Sequence, residues 1–230
     1  MLLRGLQKTT LLDFPGKVAS TVFTGGCNFR CPFCHNASLI RADGGEDRLS
    51  EENFFAFLKK RRGLNDGVCI TGGEPLLQKD IVPFIKRIRD EGFFVKLDTN
   101  GSYPEVLGTL CDEGLLDYVA MDVKNAPAAY AKTAGVSEDI LPKIEQSIAI
   151  LKRGTVPYEF RTTVVKGLHT EQTMRAIGEW LGDVPAYFIQ NFTDSGDVLV
   201  GGLSGFTPSE LTALLDAVKP YIPSARVRGM

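Results

Sequence analysis

Residues 25–36 read Gly-Gly-Cys-Asn-Phe-Arg-Cys-Pro-Phe-Cys-His-Asn and carry Cys27, Cys31 and Cys34 on one short segment. The cysteines are separated by three residues and then by two, so three thiolates can bind three irons of one cubane iron–sulfur cluster. Such a cluster normally takes four cysteines, and the sequence has no obvious fourth partner nearby. We therefore expect one iron to be open to a substrate, which indicates a catalyst rather than an electron carrier.

Three other uses of these cysteines stay open. Cys31 to His35 match the C-x-x-C-H pattern of covalent haem attachment, although that pattern leaves Cys27 unused. A zinc site would need the adjacent residues Cys34 and His35 on one metal, whereas structural zinc sites usually pair two separated knuckles. The third alternative is plain burial, which we predict for the remaining cysteines, Cys69 in an apolar strand and Cys111 near a helix end.

Outward from this segment, apolar β-branched runs alternate with helical patterns. Strands are predicted over residues 18–24, 68–71, 93–98, 118–122, 158–165 and 186–191. Helices are predicted over residues 51–61, 79–91, 103–112, 140–152, 170–181 and 208–218. The alternation indicates an α/β fold with parallel strands and right-handed crossovers. Six such units predict a barrel or part of one.

Polar clusters follow the first four predicted strands, where barrel enzymes place their chemistry. The cysteine segment comes first, and residues 71–75 (Thr-Gly-Gly-Glu-Pro), 98–101 (Asp-Thr-Asn-Gly) and 122–124 (Asp-Val-Lys) follow the next three strands. Paired glycines expose backbone carbonyls, which together with Glu74 could accept from an ammonium group. Lys124 could bind a carboxylate. Asp98 and Asp122 could bind a cation, a ribose or an amino group, or one of them could form a structural ion pair with Lys124.

Bulk properties restrict the class of protein. The chain has 230 residues and a formal net charge of −2, so it gives no electrostatic sign of binding nucleic acid or an anionic membrane. It has no apolar run of the ~20 residues that a membrane helix needs. Its first residues lack the apolar region of a signal peptide. We therefore expect a cytoplasmic location, where cysteines serve metals or catalysis rather than disulfides.

The cysteine spacing followed by Gly72-Gly73-Glu74-Pro75 resembles the radical S-adenosylmethionine (SAM) superfamily. Residues 11–16 (LLDFPG), 97–101 (LDTNG) and 121–124 (MDVK) extend the likeness to the glycyl-radical-enzyme activating enzymes, over roughly residues 5–195. Within that group the chain is most similar to the anaerobic ribonucleoside-triphosphate reductase activating proteins, and more distantly to pyruvate formate-lyase activating enzyme.

The resemblance implies a partial (β/α)6 TIM-like barrel of the radical SAM type. The chain would form a single domain over residues 1–230, with a core over about 17–195 and extensions at 1–16 and 196–230. Cys27, Cys31 and Cys34 would bind a [4Fe-4S] cluster whose fourth iron holds SAM. Flavodoxin or ferredoxin would supply one electron, and the resulting 5′-deoxyadenosyl radical would abstract hydrogen from a glycine of a partner glycyl-radical enzyme, expected to be anaerobic ribonucleoside-triphosphate reductase.

The resemblance also implies the residues that contact SAM. Backbone near Phe33 would meet the adenine, the Gly72–Gly73–Glu74 turn the amino group, and Lys124, or a monovalent cation on Asp98 and Asp122, the carboxylate. The full implied set is Phe33, Asn36, Gly72, Gly73, Glu74, Asp98, Asp122, Lys124, Val165, Gly167 and Asn191.

The sequence differs from the related activating enzymes in two places, and both differences help to identify the branch of the family. Where pyruvate formate-lyase activators have a histidine after the last strand, residues 190–192 read Gln-Asn-Phe, so a ribose contact would come from Gln190 or Asn191. No cysteine lies between Cys34 and Cys69, which excludes an inserted ferredoxin-like segment there. The alternatives are a radical SAM enzyme with a small substrate, similar to 7-carboxy-7-deazaguanine synthase, and a non-enzymatic iron–sulfur electron carrier.

Overall fold

Eight strands form one sheet in the computed structural model, which describes residues 1–40 and 48–229. The strands are β1 (Leu3–Thr10), β2 (Ala19–Thr24), β3 (Gly67–Gly72), β4 (Phe94–Thr99), β5 (Tyr118–Asp122), β6 (Tyr158–Val164), β7 (Tyr187–Asn191) and β8 (Arg226–Arg228). The helices are α1 (Glu51–Lys59), α2 (Ile81–Asp90), α3 (Pro104–Asp112), α4 (Tyr130–Ala134), α5 (Leu141–Lys152), α6 (Glu171–Leu181) and α7 (Pro208–Val218).

The strands lie side by side in chain order, and every neighbouring pair from β2 to β8 is parallel. A helix follows each of the six strands β2 to β7. The predicted partial (β/α)6 barrel is thereby confirmed. It is extended at its edges by β1, which pairs antiparallel with β2, and by the short parallel strand β8.

Local sequence signals account for the helix ends. Ser50 accepts a hydrogen bond from the backbone N–H of Asn53 and begins α1, while Thr170 and Thr207 form capping boxes at α6 and α7. These caps satisfy backbone donors that have no partner within the helix. None of the helices in the described ranges combines the length and the apolar composition that a bilayer span requires.

The two faces of the barrel wall differ in polarity. Successive side chains of a strand point to opposite faces. Val68 and Ile70 of β3 and Val95 and Leu97 of β4 are fully buried in the core. The alternating positions on the same strands place Cys69, Lys96 and Asp98 in contact with one another. The inner face is therefore polar, unlike the layers of branched apolar side chains that usually fill a closed barrel.

Candidate active site

A cavity of about 440 Å³ opens at the carboxyl ends of the strands. Cys27, Cys31 and Cys34 line it together with residues from the ends of β3 to β7. Of the other predicted site residues, seven line the cavity: Phe33, Asn36, Gly72, Gly73, Asp98, Asp122 and Lys124. Four do not contribute to its lining: Glu74, Val165, Gly167 and Asn191.

The cysteine segment is held against two neighbouring loops. The N–H of Arg30 donates to the carbonyl of Ala134 at 2.9 Å, and the N–H of Glu74 donates to the carbonyl of Gly26 at 2.8 Å. A Cβ atom at Gly73 would lie 2.0 Å from that Gly26 oxygen. The glycine pair therefore has a packing cause, because only glycine lets the loop after β3 approach the cysteine segment this closely.

The three thiols lie in a water-poor environment. Burial raises the pKa of Cys27 to about 12 and that of Cys31 to about 11, and it also raises the pKa of Cys34. The free thiols are therefore neutral at pH 7, and binding iron must displace their protons.

The donor set fits a cubane cluster better than one ion. No group of three or more described His, Cys, Asp and Glu side chains is arranged to hold a single metal ion. In a cubane each thiolate binds a different iron, so the sulfurs need only line one wall of a cavity, as they do here.

Glu74 lies behind the cavity wall. Its carboxylate is fully buried and accepts hydrogen bonds from the Thr99 hydroxyl at 2.7 Å, from the Asn100 N–H at 2.7 Å and from the Leu76 N–H at 3.0 Å. Burial outweighs these hydrogen bonds and raises the pKa of Glu74 to about 7. The carboxylate therefore joins the loop after β3 to the end of β4, and the backbone of Gly72 and Gly73 is the part of this motif that lines the cavity.

Arg161 of β6 joins the two predicted aspartates. Its guanidinium donates to Asp122 at 2.9 Å and to Asp98 at 3.2 Å. Lys124 donates to Asp122 at 3.0 Å, and Lys96 contacts Asp98. Burial works against ionisation of both carboxyls, but the charges of Arg161 and the lysines hold the pKa of each below its usual range.

Arg161 was missing from the predicted site. It lies in the predicted strand over residues 158–165, two residues after Glu159, and two buried charges at alternating positions of a strand are a signal of ion pairs on its inner face. The Lys124–Asp122 ion pair, by contrast, is one of the arrangements that the sequence left open.

The remaining predicted residues lie around the cavity. The N–H of Val165 donates to His169 Nδ1 at 3.1 Å, and His169 Nε2 lies 2.9 Å from the carbonyl oxygen of Lys124. The Asn191 side chain forms two hydrogen bonds with the backbone of Phe206, one donated and one accepted. Gln190, the other candidate for a ribose contact, lines the cavity.

Both other cysteines are buried, as predicted. Cys69, however, packs against Lys96 and Asp98 instead of apolar side chains.

Comparison with known proteins agrees with this geometry. The sequence model of the radical SAM superfamily matches residues 21–181. A Methanocaldococcus jannaschii protein with the provisional name of glycyl-radical enzyme activating enzyme is 34% identical, over 99% of this chain and 95% of the relative. The pyruvate formate-lyase-activating enzyme of Clostridium pasteurianum is 29% identical over 54% of this chain and 52% of its own length.

The fold has solved counterparts. The crystal structure of Streptococcus suis SuiB bound to S-adenosylmethionine superposes with a TM-score of 0.64, covering 89% of this chain and 48% of SuiB at 14% identity. With the full-length relative and the family match, the chain is an enzyme of the radical SAM superfamily and belongs to the family of the glycyl-radical enzyme activating enzymes.

Proposed function

We propose that this chain cleaves SAM reductively and abstracts a hydrogen atom from one glycine of a partner enzyme, an anaerobic ribonucleoside-triphosphate reductase. The observation that carries the proposal is that the three cysteines and the polar ends of β3 to β7 line one and the same cavity. A [4Fe-4S] cluster with SAM on its open iron would supply the electron that breaks the sulfonium and yields the 5′-deoxyadenosyl radical.

The chain's own residues bind and orient the cofactors. Cys27, Cys31 and Cys34 are the iron ligands. The carbonyls of Gly72 and Gly73 receive the amino group of SAM, and Lys124 receives its carboxylate.

The other residues complete the pocket. Phe33 is next to the adenine, and Asn36, whose amide donates to the Gly72 carbonyl at 3.4 Å, holds the turn against the cysteine segment. We assign the ribose contact to Gln190, because it lines the cavity while Asn191 is occupied elsewhere. Val165 and Gly167 do not line the cavity, and Glu74 acts behind its wall through hydrogen bonds to Thr99 and Asn100.

The proposal needs no monovalent cation. Asp98 and Asp122 share the guanidinium of Arg161, and each has a lysine partner as well. Their charges are therefore balanced within the chain.

A protein glycine is the preferred substrate because the relative that matches over the full length of this chain is named for glycyl-radical enzyme activation. Flavodoxin or ferredoxin would supply the electron, and the reducing conditions that such a cluster requires favour the cytoplasm. A small molecule in place of the glycine is the rival substrate.

The test uses anaerobically reconstituted protein with dithionite and SAM. Formation of 5′-deoxyadenosine, with a glycyl radical signal on the reductase only when all components are present, is the expected result. Cleavage of SAM without any reductase radical would reject this partner. No cleavage at all, in protein that retains its cluster, would reject the activity.

A further inference from the structure

The side chain of Asn100, at the end of β4, reaches across to the cysteine segment. Its Nδ2 lies 3.9 Å from Cys27 Sγ and 3.1 Å from Asn28 Oδ1. The backbone N–H of Phe29 approaches the same sulfur at 3.4 Å. Cys27 Sγ therefore has two N–H donors, one from the backbone and one from a side chain on another strand.

The orientation of the Asn100 amide is fixed by its neighbours. Asn100 Oδ1 accepts from the Ser102 N–H at 2.9 Å and from the Ser102 hydroxyl at 2.6 Å. Asn28 Nδ2 in turn donates to the Ser102 hydroxyl at 2.9 Å. A flipped amide would point its NH2 group at the backbone N–H of Ser102, so the donor must face Asn28 and the sulfur.

The position of Asn100 is fixed as well. Its backbone N–H donates to the buried carboxylate of Glu74 at 2.7 Å, and both Asn100 and Ser102 are buried. A fully satisfied buried network of this kind is rigid. The amide N–H of Asn100 therefore already faces the sulfur before a cluster binds, and no side-chain rearrangement is needed.

The other two cysteines have different surroundings. Cys31 Sγ lies 3.7 Å from the carbonyl oxygen of Ala134, which is an acceptor, and the Cys34 sulfur accepts from the backbone N–H of Asn36. Among the described residues, only Cys27 of these three receives a side-chain donor.

We propose that Asn100 is a positioning residue that donates a hydrogen bond to the Cys27 thiolate and thereby raises the reduction potential of the cluster. The inference rests on the proposed cluster ligands. Reduction adds negative charge to the iron–sulfur unit, and a donor to a ligand sulfur stabilises that charge, so the reduced state is favoured.

The experiment is a redox titration of the reconstituted [4Fe-4S] protein, without SAM, followed by electron paramagnetic resonance. For Asn100→Ala we expect the equilibrium to shift toward the oxidised cluster by about tenfold, which is about 59 mV lower for a one-electron couple. The matched control is Asn125→Ala. Asn125 is also a buried asparagine, but its amide donates to Thr133 and to the carbonyl of Leu168. It should leave the potential unchanged.

The outcomes separate this inference from the proposed function. Wild-type protein that takes up no [4Fe-4S] cluster would overturn both. An unchanged potential in cluster-loaded Asn100→Ala, or an equal shift in Asn125→Ala, would overturn the role of Asn100 alone. If Asn100→Ala takes up no iron, Ser102→Ala replaces it, since it removes the hydroxyl that orients the amide. A smaller shift in the same direction is then expected, and no shift would overturn the inference.

Discussion

Two walls of the cavity are built by different physical means. The cysteine wall (residues 25–36, 72–74 and 99–102) is held by backbone contacts and hydrogen bonds, with Gly73 against the Gly26 carbonyl at its closest point. The charged wall (Asp98, Asp122, Lys124 and Arg161) is held by ion pairs that span β4, β5 and β6. We therefore expect the cysteine wall to be sensitive to added volume and the charged wall to be sensitive to the loss of a charge.

Removal of Arg161 should have the largest effect, because it leaves two carboxylates on the inner face without their shared partner. For Arg161→Met we expect a loss of about 3 to 5 kcal/mol in the free energy of unfolding of the apoprotein, measured with urea. Arg153→Met is the matched control, since Arg153 pairs with Asp112 at the surface and should cost under about 1 kcal/mol. Equal costs for the two variants would show that the charged wall is not held by its ion pairs.

An added methyl group tests the cysteine wall. In Gly73→Ala the new Cβ would meet the Gly26 oxygen at 2.0 Å, so the two loops must separate. We expect a loss of about 3 kcal/mol and poor uptake of iron, measured by unfolding and by metal analysis. Gly201→Ala provides the control because a Cβ there meets no atom within 4 Å. Normal iron content in Gly73→Ala would contradict the tight contact.

Glu74 links the two loops of the cysteine wall and should make stability depend on pH. Burial raises its pKa from the ordinary 4.5 to about 7, so the folded protein binds the proton more tightly than the unfolded chain does. This contribution is fully present below pH 4.5 and is lost as the pH rises through 7. Relative to Glu74→Gln, the wild-type apoprotein should lose about 2 to 3 kcal/mol between pH 5 and pH 8.

The other titrating groups are common to both proteins, so the difference between the two pH profiles isolates Glu74. Parallel profiles from pH 5 to pH 8 would show that the carboxyl is not the titrating group.

The smallest effect is expected at the two cysteines that are not predicted iron ligands. Cys69→Ser and Cys111→Ser should keep full iron content and SAM cleavage, with a stability cost of about 1 kcal/mol each. Cys31→Ala, measured in parallel, should lose the cluster absorbance while the protein stays folded. A loss of iron in either serine variant would identify a fourth ligand.

The sequence predicted the main frame because its signals there are strong. The strands β2 to β7 and the six longer helices have clear apolar periodicity, and their observed bounds differ from the predicted ones by only a few residues. Strand β1 was missed because Gln7, Lys8 and Thr9 are exposed and interrupt its pattern. Helix α4 and strand β8, with five and three residues, are too short to show a period.

The sequence predicted which residues belong to the candidate site, but not which of their side chains line the cavity. A spacing pattern identifies Cys27, Cys31 and Cys34, and strand ends identify Asp98 and Asp122. Sequence alone does not show which side chains turn toward a cavity and which turn behind it. Glu74 was therefore predicted to contact SAM, whereas in the structure its carboxylate accepts hydrogen bonds from Thr99 and Asn100. The part played by Asn100 depends on contacts between distant strands, which no local pattern carries.

Apart from the ion pairs of the charged wall, the polar inner face of the barrel adds little to the packing that holds the fold. The strands bury their apolar side chains toward the helices, so cohesion of the molecule is concentrated on the outside of the sheet. An uncharged lining residue to which no contact is assigned, such as Thr163, should then be exchangeable with little effect on whether the chain folds. Substitutions intended to change the substrate would therefore be made at such lining positions, while the helix-facing side chains are kept.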